Sequence, residues 1–306
     1  MTVYLDNAST SWPKPPAVAE AMAAFLREGA ATPGRGSYAM AGEAEARVAR
    51  LRRRLAELIN ADSPERIVLL GSATEALNTA ILGLFTEPQA KPARVVTTRL
   101  EHNSVTRVLR HLEARGAIEV ASVPPDREGF VSPGDIAAAC TPGAALVIVS
   151  HVSNVLGTIQ PVAEIAGACR AAAPGALFLV DACQSIGLLP IDVQHAGFDL
   201  LAFSGHKALM GPSGIGGLYV GPRVFPGGGG LKLRPTRFGG SGSDSVSRDM
   251  PSHLPSRFEA GTPNTVGQIG LLAALEGRSR PESDGALAHE RRLVERLLAG
   301  VRDAPA

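Results

Sequence analysis

Short runs in which almost every position is apolar alternate along this chain with stretches in which apolar residues return every three or four positions. The continuous runs predict strands at Ile67–Leu70, Val95–Thr98, Ile118–Val123, Ala145–Ser150, Leu177–Val180, Leu200–Phe203 and Ile215–Val220. The helical spacing between them predicts helices near Thr74–Leu84, Ser104–Ala114, Pro133–Ala139 and Val162–Ala171. Strands that are apolar on both faces and separated by helices imply an α/β fold, with a mainly parallel sheet and helices on both faces. The last two runs are joined by a Gly/Pro-rich turn too short for a crossover helix, so they are predicted to pair antiparallel and make the sheet mixed. Upstream, Val48, Leu51, Leu55, Leu58 and Ile59 mark an amphipathic helix, with Arg50, Arg52, Arg53 and Arg54 as its solvated face.

The texture changes after Pro222. As far as Pro263 the chain is rich in Gly, Ser and Pro, which predicts a long surface loop or flap. Beyond Leu271 helical spacing returns, and the final helix carries a stripe of Leu293, Leu297, Leu298 and Val301 with nothing following to cover it. The expected organisation is an N-terminal segment and large domain over residues 1–270, then the beginning of an incomplete C-terminal domain over 271–306.

Composition narrows the function. With 45% hydrophobic and 19% charged residues over 306 positions, the chain can build a large core. A formal net charge of +1 supplies no global field for nucleic acid or an anionic membrane. No apolar run is long enough to span a bilayer, and MTVYLDNAST lacks the basic start and apolar core of a secretory signal. Cys140, Cys169 and Cys183 show neither metal-ligand spacing nor a paired framework, so reduced thiols in a cytoplasmic protein are expected, with no metal site.

In an open parallel sheet, ligands gather beyond the carboxyl ends of the strands. The residues just past each predicted strand are therefore the informative inventory. Ile67–Leu70 leads into GSATEA, whose small residues and helix start suit an anion, although Ser or Thr before Glu is also an ordinary helix cap. Val95–Thr98 is followed by Glu101, His102 and Asn103, Ala145–Ser150 by HVSNVLG with Asn154, and Leu177–Val180 by Asp181 and Gln184. Leu200–Phe203 leads to Ser204, His206 and Lys207. Each has a structural explanation of its own: His102 as a helix-start residue, Asn154 as a turn residue, Asp181 as a cap, Lys207 as a solvated loop lysine. Together they define one edge that a single cofactor would use throughout. Pyridoxal phosphate (PLP) needs a lysine for its Schiff base, a carboxylate on its pyridine nitrogen and an anion site for its phosphate. Lys207, Asp181 and the GSATEA turn are of those types.

FSGHK followed by GPSGIGGLYV, with VDACQS, HVSNVLGTIQPV, EHNS and FEAGTPNT, resembles the class V aminotransferases, PLP enzymes of fold type I. Within that family the nearest likeness is to cysteine desulfurases and selenocysteine lyases, and it runs from YLDNAST to about Leu272. The resemblance implies a PLP-dependent transferase or lyase that removes sulfur or selenium from L-cysteine or selenocysteine and leaves alanine. It implies catalytic roles for Lys207 as the Schiff-base lysine, Asp181 as the partner of the pyridine nitrogen, and His102 as the imidazole stacked on the ring. Thr74, Ser204 and His206 match phosphate ligands, with Ala73 contributing backbone; Gln184 matches a contact to the ring hydroxyl, and Asn154 a residue near that hydroxyl and the substrate. Thr262 matches a threonine that reaches the phosphate of a neighbouring subunit, which implies a homodimer with shared sites, and Arg35 is placed near the partner's site. A sulfur-acceptor protein would be a further partner. Family members also use a persulfide-forming cysteine and a carboxylate-clamping arginine in the C-terminal domain, most of which is absent from these 306 residues, and no cysteine follows Cys183. Cys183 itself is read as helix-start packing. That leaves as alternatives another class V activity (transaminase, epimerase or β-lyase) and a shortened PLP-binding chain without turnover.

Overall fold

The computed structural model describes residues 3–34, 36–86, 91–227, 231–242, 247–277 and 280–302. Its centre is a seven-stranded sheet: β1 (Ile67–Leu70), β2 (Ala93–Thr98), β3 (Ile118–Val123), β4 (Ala144–Ser150), β5 (Leu177–Asp181), β6 (Leu200–Ser204) and β7 (Gly216–Val220). The order across it is β1-β7-β6-β5-β4-β2-β3, and β7 runs antiparallel to both neighbours while the remaining pairs are parallel. The α/β expectation therefore holds, including the antiparallel closing hairpin. The sequence pattern gives no sign that β7 inserts between β1 and β6. Because β7 is antiparallel to both, β1 still runs parallel to β6, and the carboxyl ends of β1, β6, β5, β4 and β2 share one edge.

Period-2 alternation explains why each strand reads as continuously apolar. Val147, Val149, Phe178, Val180, Leu201 and Phe203 face one core, packed with Leu51 and Leu55 of α2 (Ala39–Leu58), Ile136 of α5 (Pro133–Ala139) and Ile165 of α6 (Val162–Ala172). Leu146, Ile148, Leu177, Leu179 and Leu200 face the other, packed with Leu77 and Ile81 of α3 (Ala73–Leu84) and Val105 and Leu109 of α4 (Asn103–Ala114). Each such buried side chain contributes about 1.5–3 kcal/mol of transfer free energy.

Two helices escape the sequence pattern. α1 (Pro16–Glu28) begins with proline at its first position and buries only Val18 and Phe25, and α7 (Val193–Ala196) is a single turn. With Ala44 of α2 and Ile269 of α8 (Thr265–Glu276), Phe25 forms a third small cluster. α1 crosses α8 so closely that a Cβ on Gly270 would lie 2.7 Å from Met22 Sδ.

Two expectations need correction. Arg52 is not on a solvated face: its guanidinium pairs with both carboxylate oxygens of Glu259 at 2.8 and 2.6 Å and donates to the Ile67 carbonyl. The Gly/Ser/Pro-rich stretch is irregular and largely at the surface among its described residues, as expected of a loop, but it is anchored and not a flap, because Val224, Leu233 and Phe258 are buried in the second core and Glu259 accepts from the Leu69 amide. The last helix, α9 (Arg280–Arg302), exposes its stripe, with Leu293, Leu297, Leu298 and Val301 between 51% and 66% accessible.

Candidate active site at the carboxyl edge of the sheet

The shared edge presents the expected residues in spatial order: Thr74 after β1, then Ser204–Lys207 after β6, Asp181 at the end of β5, Asn154 after β4 and His102 after β2. Asp181 sits between Ser150 on β4 and Ala202 on β6 in the strand registers. Although β7 separates β1 from β6, the two are drawn together by Gly216: a Cβ there would lie 2.6 Å from Ser72 C, 2.8 Å from Ala73 N and 2.8 Å from Phe203 O. Only glycine permits that backbone approach.

The start of α3 combines both readings of GSATEA. Ser72 Oγ accepts from the Glu75 amide at 3.1 Å and Glu75 Oε2 accepts from the Gly71 amide at 2.8 Å, close to a capping box. Those bonds leave the amides of Ala73 and Thr74 unengaged among the described residues, at the positive end of a twelve-residue helix. Thr74 is exposed, and Ser204 is buried at 3% accessibility.

Asp181 is 4% exposed, its Oδ1 accepts from the Cys183 amide at 3.0 Å, and no ion pair engages it among the described residues. It is thus partly a cap, with acceptor capacity left over for a cationic N–H. Gln184 donates to the Ala8 carbonyl at 3.0 Å. Lys207 is half-buried on the turn after β6, beside His206, whose Nδ1 lies 3.0 Å from Thr10 Oγ1. Burial, with Lys207 and Lys14 nearby, pushes the His206 pKa down, which favours the neutral imidazole. His102 is exposed and caps α4: its Nδ1 accepts from the Ser104 amide at 3.1 Å, which leaves the proton of a neutral ring on Nε2. Asn154 and Thr262 are exposed on loops, the latter on a segment anchored where Asn264 donates to the Gly214 carbonyl at 2.7 Å. Arg35 lies outside the described residues.

A cavity of about 500 Å³ opens between α3 and α4, lined among others by Thr74, Asn78, His102, Arg107 and His111. It touches Thr74 and His102 but not Asp181 or Lys207, so it flanks the row of strand ends. Beneath the row, Glu101 is a residue to which the sequence assigns no role. Its Oε1 accepts from Thr98 Oγ1 at 2.7 Å and from the Ser150 amide at 3.0 Å, while Oε2 is buried without a partner. Burial first, and the nearby Asp181 charge, raise its pKa to about 8, so it is mostly a neutral acid at pH 7. Burial and Asp181 also hold the Cys183 thiol well above its usual range, so it remains a thiol. Cys140 and Cys169 are buried in the core, and all three cysteines are unpaired. Among the described residues no cluster of His, Cys, Asp and Glu has the makings of a metal site.

A buried carboxylate with free acceptor capacity, a half-buried lysine one strand away and unengaged amides at a helix start fit PLP, which carries a pyridine N–H, an aldehyde and a phosphate. The profile of the class-V aminotransferases matches residues 3–306, and the chain belongs to that family, whose members that resemble it are PLP-dependent. It is 38% identical over 301 residues to a probable cysteine desulfurase of Methanothermobacter thermautotrophicus, covering 98% of this chain and 72% of the relative. It is 40% identical over 308 residues to the cysteine desulfurase IscS of Salmonella paratyphi B, covering 99% of this chain and 70% of that one. Among solved structures, the apo cysteine desulfurase of Thermococcus onnurineus superposes with a TM-score of 0.89 at 34% identity, over 98% of this chain and 73% of the other.

Proposed function

We propose that this chain is a PLP-dependent cysteine desulfurase-type enzyme that removes sulfur from L-cysteine, or selenium from selenocysteine, and leaves alanine. The observation that carries the reading is the placement of Lys207 and Asp181 at the ends of adjacent strands, in a chain whose relatives are named cysteine desulfurases. Bound PLP supplies an electron sink for the bond broken at the substrate Cα. Asp181 would hold a proton on the pyridine nitrogen, in a buried site where such a charge pair is strong. Lys207 would hold the cofactor through its aldehyde, and its amine would serve to move protons at the substrate Cα. Ser204, His206 and Thr74 would bind the phosphate with the Ala73 amide, where the α3 N-terminus adds its favourable field. His102, with Nε2–H available, would pack on the cofactor ring, and Gln184 and Asn154 would meet its hydroxyl, Asn154 near the substrate as well.

The assembly we infer is a homodimer in which Thr262 of one subunit completes the phosphate site of the other. Residues 271–306 would begin the second domain; a boundary at 270/271 falls inside α8, which packs against α1 and α2. We place the protein in the cytoplasm, in keeping with three unpaired thiols; no described helix is long and apolar enough to cross a membrane. Cys140 and Cys169 are in the core and Cys183 is held as a thiol, so none of the three suits sulfur transfer. That favours a thiol from outside these residues as acceptor, which takes the sulfur as a persulfide while the substrate Cβ–S bond breaks and alanine is left; departure as free sulfide without a reductant would be β-elimination, giving a keto acid and ammonia in place of alanine.

The test is a visible absorption spectrum of the purified chain with and without added PLP, beside Lys207→Ala, followed by L-cysteine. A cofactor band that Lys207→Ala lacks, with alanine as product, is expected. A keto acid with aminated cofactor would replace desulfuration by transamination, and a colourless protein after PLP addition would overturn the cofactor assignment.

A further inference from the structure

The carbonyl of His206, in the peptide that joins it to Lys207, attracts an unusual number of donors. The Ser11 amide reaches it at 3.1 Å, Thr10 Oγ1 at 3.1 Å, Ser11 Oγ at 3.2 Å and Lys14 Nζ at 2.6 Å. A carbonyl oxygen offers two lone pairs, so these donors compete, and the short charge-assisted bond from Lys14 is the strongest of them. Lys14 also donates to Ser11 Oγ at 2.8 Å, and no ion pair engages it among the described residues. Burial lowers its pKa. A half-buried ammonium directed at a neutral carbonyl is an expensive arrangement unless the position of that carbonyl matters.

The donor segment is itself stiff. Tyr4 Oη donates to the Thr10 carbonyl at 3.0 Å, the Trp12 amide donates to Asn7 Oδ1 at 3.0 Å, and the Tyr4 and Trp12 rings meet edge to face with centroids 5.8 Å apart. It grips the loop after β5 as well, through Gln184 and the Ala8 carbonyl. On the far side of Lys207, its own carbonyl accepts from the Met210 amide at 2.8 Å and the Gly205 carbonyl accepts from the Gly211 amide at 2.8 Å. Met210 closes this turn at φ +60, a backbone conformation that persists in a non-glycine residue only where the surroundings fix it.

We propose that Thr10–Lys14 is a clasp on the His206–Lys207 peptide, and that Lys14 is a positioning residue for Lys207. Peptide units are planar, so fixing the His206 carbonyl fixes the Lys207 amide plane. With the following carbonyl held by Met210, both planes that flank the Lys207 Cα are fixed, and with them the direction in which its side chain leaves the backbone. Lys14 touches none of the atoms assigned to cofactor or substrate; it acts through Lys207. This inference rests on Lys207 being the cofactor lysine, but its first consequence is present without cofactor.

The experiment compares wild type, Lys14→Met and Lys14→Arg by amide hydrogen exchange of the PLP-free chain, then by the rate at which the visible cofactor band appears on adding PLP. Lys14→Met is expected to speed exchange of the Met210 and Gly211 amides about tenfold relative to the sheet amides, and to slow band formation by about the same factor. Lys14→Arg, which keeps a charged donor, restores most of both. Should Lys14→Met not fold, Ser11→Ala is read by the same two measurements, with an expected change of about threefold. Unchanged local exchange together with an unchanged rate overturns the clasp and leaves the cofactor assignment standing. So does a loss of overall stability with no selective change at Met210 and Gly211, since that is a structural role only. A visible band that persists in Lys207→Ala overturns the cofactor assignment instead, and the exchange comparison still decides the clasp.

Discussion

The functional edge of the sheet is built in two different ways. On the β5–β6 side, Asp181 and Ser204 are buried, and the turn that carries Lys207 is gripped by the N-terminal segment through the His206 carbonyl. On the β2–β4 side, His102 and Asn154 are exposed, and Glu101 is among the polar groups buried beneath them. The first half holds the residues to which covalent and proton chemistry is assigned, where an error of position is costly. The second holds those that would stack on or line a ligand, where exposed side chains can adjust. Pre-organisation is concentrated in the half to which bond making is assigned.

The largest expected effect breaks this comparison at Asp181. Asp181→Asn keeps the size and the hydrogen bond from the Cys183 amide but cannot balance a protonated pyridine nitrogen. Turnover of L-cysteine should fall roughly 10²–10³-fold, the scale for removing one aimed electrostatic partner, while the visible band remains. The corresponding change in the open half, Asn154→Ala, should act on KM more than on kcat. Equal losses in kcat from the two would erase the distinction between the halves.

Next comes Gly216, the joint between the start of α3, the proposed phosphate end, and β6. The three atoms nearest an added Cβ are all backbone, the closest at 2.6 Å, so no side chain can move aside. Gly216→Ala should cost at least about 1–3 kcal/mol of stability by denaturant titration, and should loosen PLP by displacing the Ala73 amide. An unchanged midpoint would mean that the joint is compliant.

Much of this is legible in the sequence, and the failures have physical causes. Runs such as Leu146–Val149 and Leu177–Val180 predict strands because both faces are covered, and the polar residues after each strand point to one edge. Single-residue differences at Ala144, Asp181 and Ser204 are ladder pairings that extend past the apolar run. Tyr4–Lys14 carries no periodicity, and its donors act on a backbone carbonyl nearly 200 residues away, so composition cannot announce them; the bonds from Thr10, Ser11 and Lys14 to His206 are fixed only by the fold. Arg52 sits among solvated arginines in the sequence, and helical spacing cannot show that Glu259 folds back against β1. Glu101 is overshadowed by its neighbour His102, because a carboxylate under a sheet edge is visible only once β2, β4 and β5 are side by side.

A sharper test of the open half uses pH. Glu101 has an ordinary carboxyl value of 4.5 when unfolded and about 8 in the fold. Between those values the folded chain keeps a proton that the unfolded chain releases, so this group's contribution to stability is fullest at low pH and is lost as pH rises through the window. The charged group facing it is Asp181 from β5; Thr98 and Ser150, its hydrogen-bond partners, are neutral. Glu101→Gln keeps the neutral form at every pH. Its melting temperature should therefore gain on wild type steadily between about pH 5 and pH 8 and not below. Parallel curves would mean that water or a rearrangement relieves the buried carboxylate, and that the two halves do not differ in how they treat buried charge.

The smallest expected effect lies at Ser72, whose hydroxyl caps α3 through the Glu75 amide. Ser72→Ala should cost about 1 kcal/mol, and Ser72→Gly only a few tenths, since glycine tolerates the extended cap backbone and lets water reach the orphaned amide. Both substitutions leave the Ala73 and Thr74 amides chemically intact, so any loss of PLP affinity reports how firmly the first turn is held. If the phosphate end belongs with the pre-organised half, affinity should fall with stability, in proportion, across the two variants. If affinity is unmoved while stability drops, the phosphate itself orders that turn on binding, and the start of α3 belongs with His102 and Asn154 among the parts of the edge that adjust.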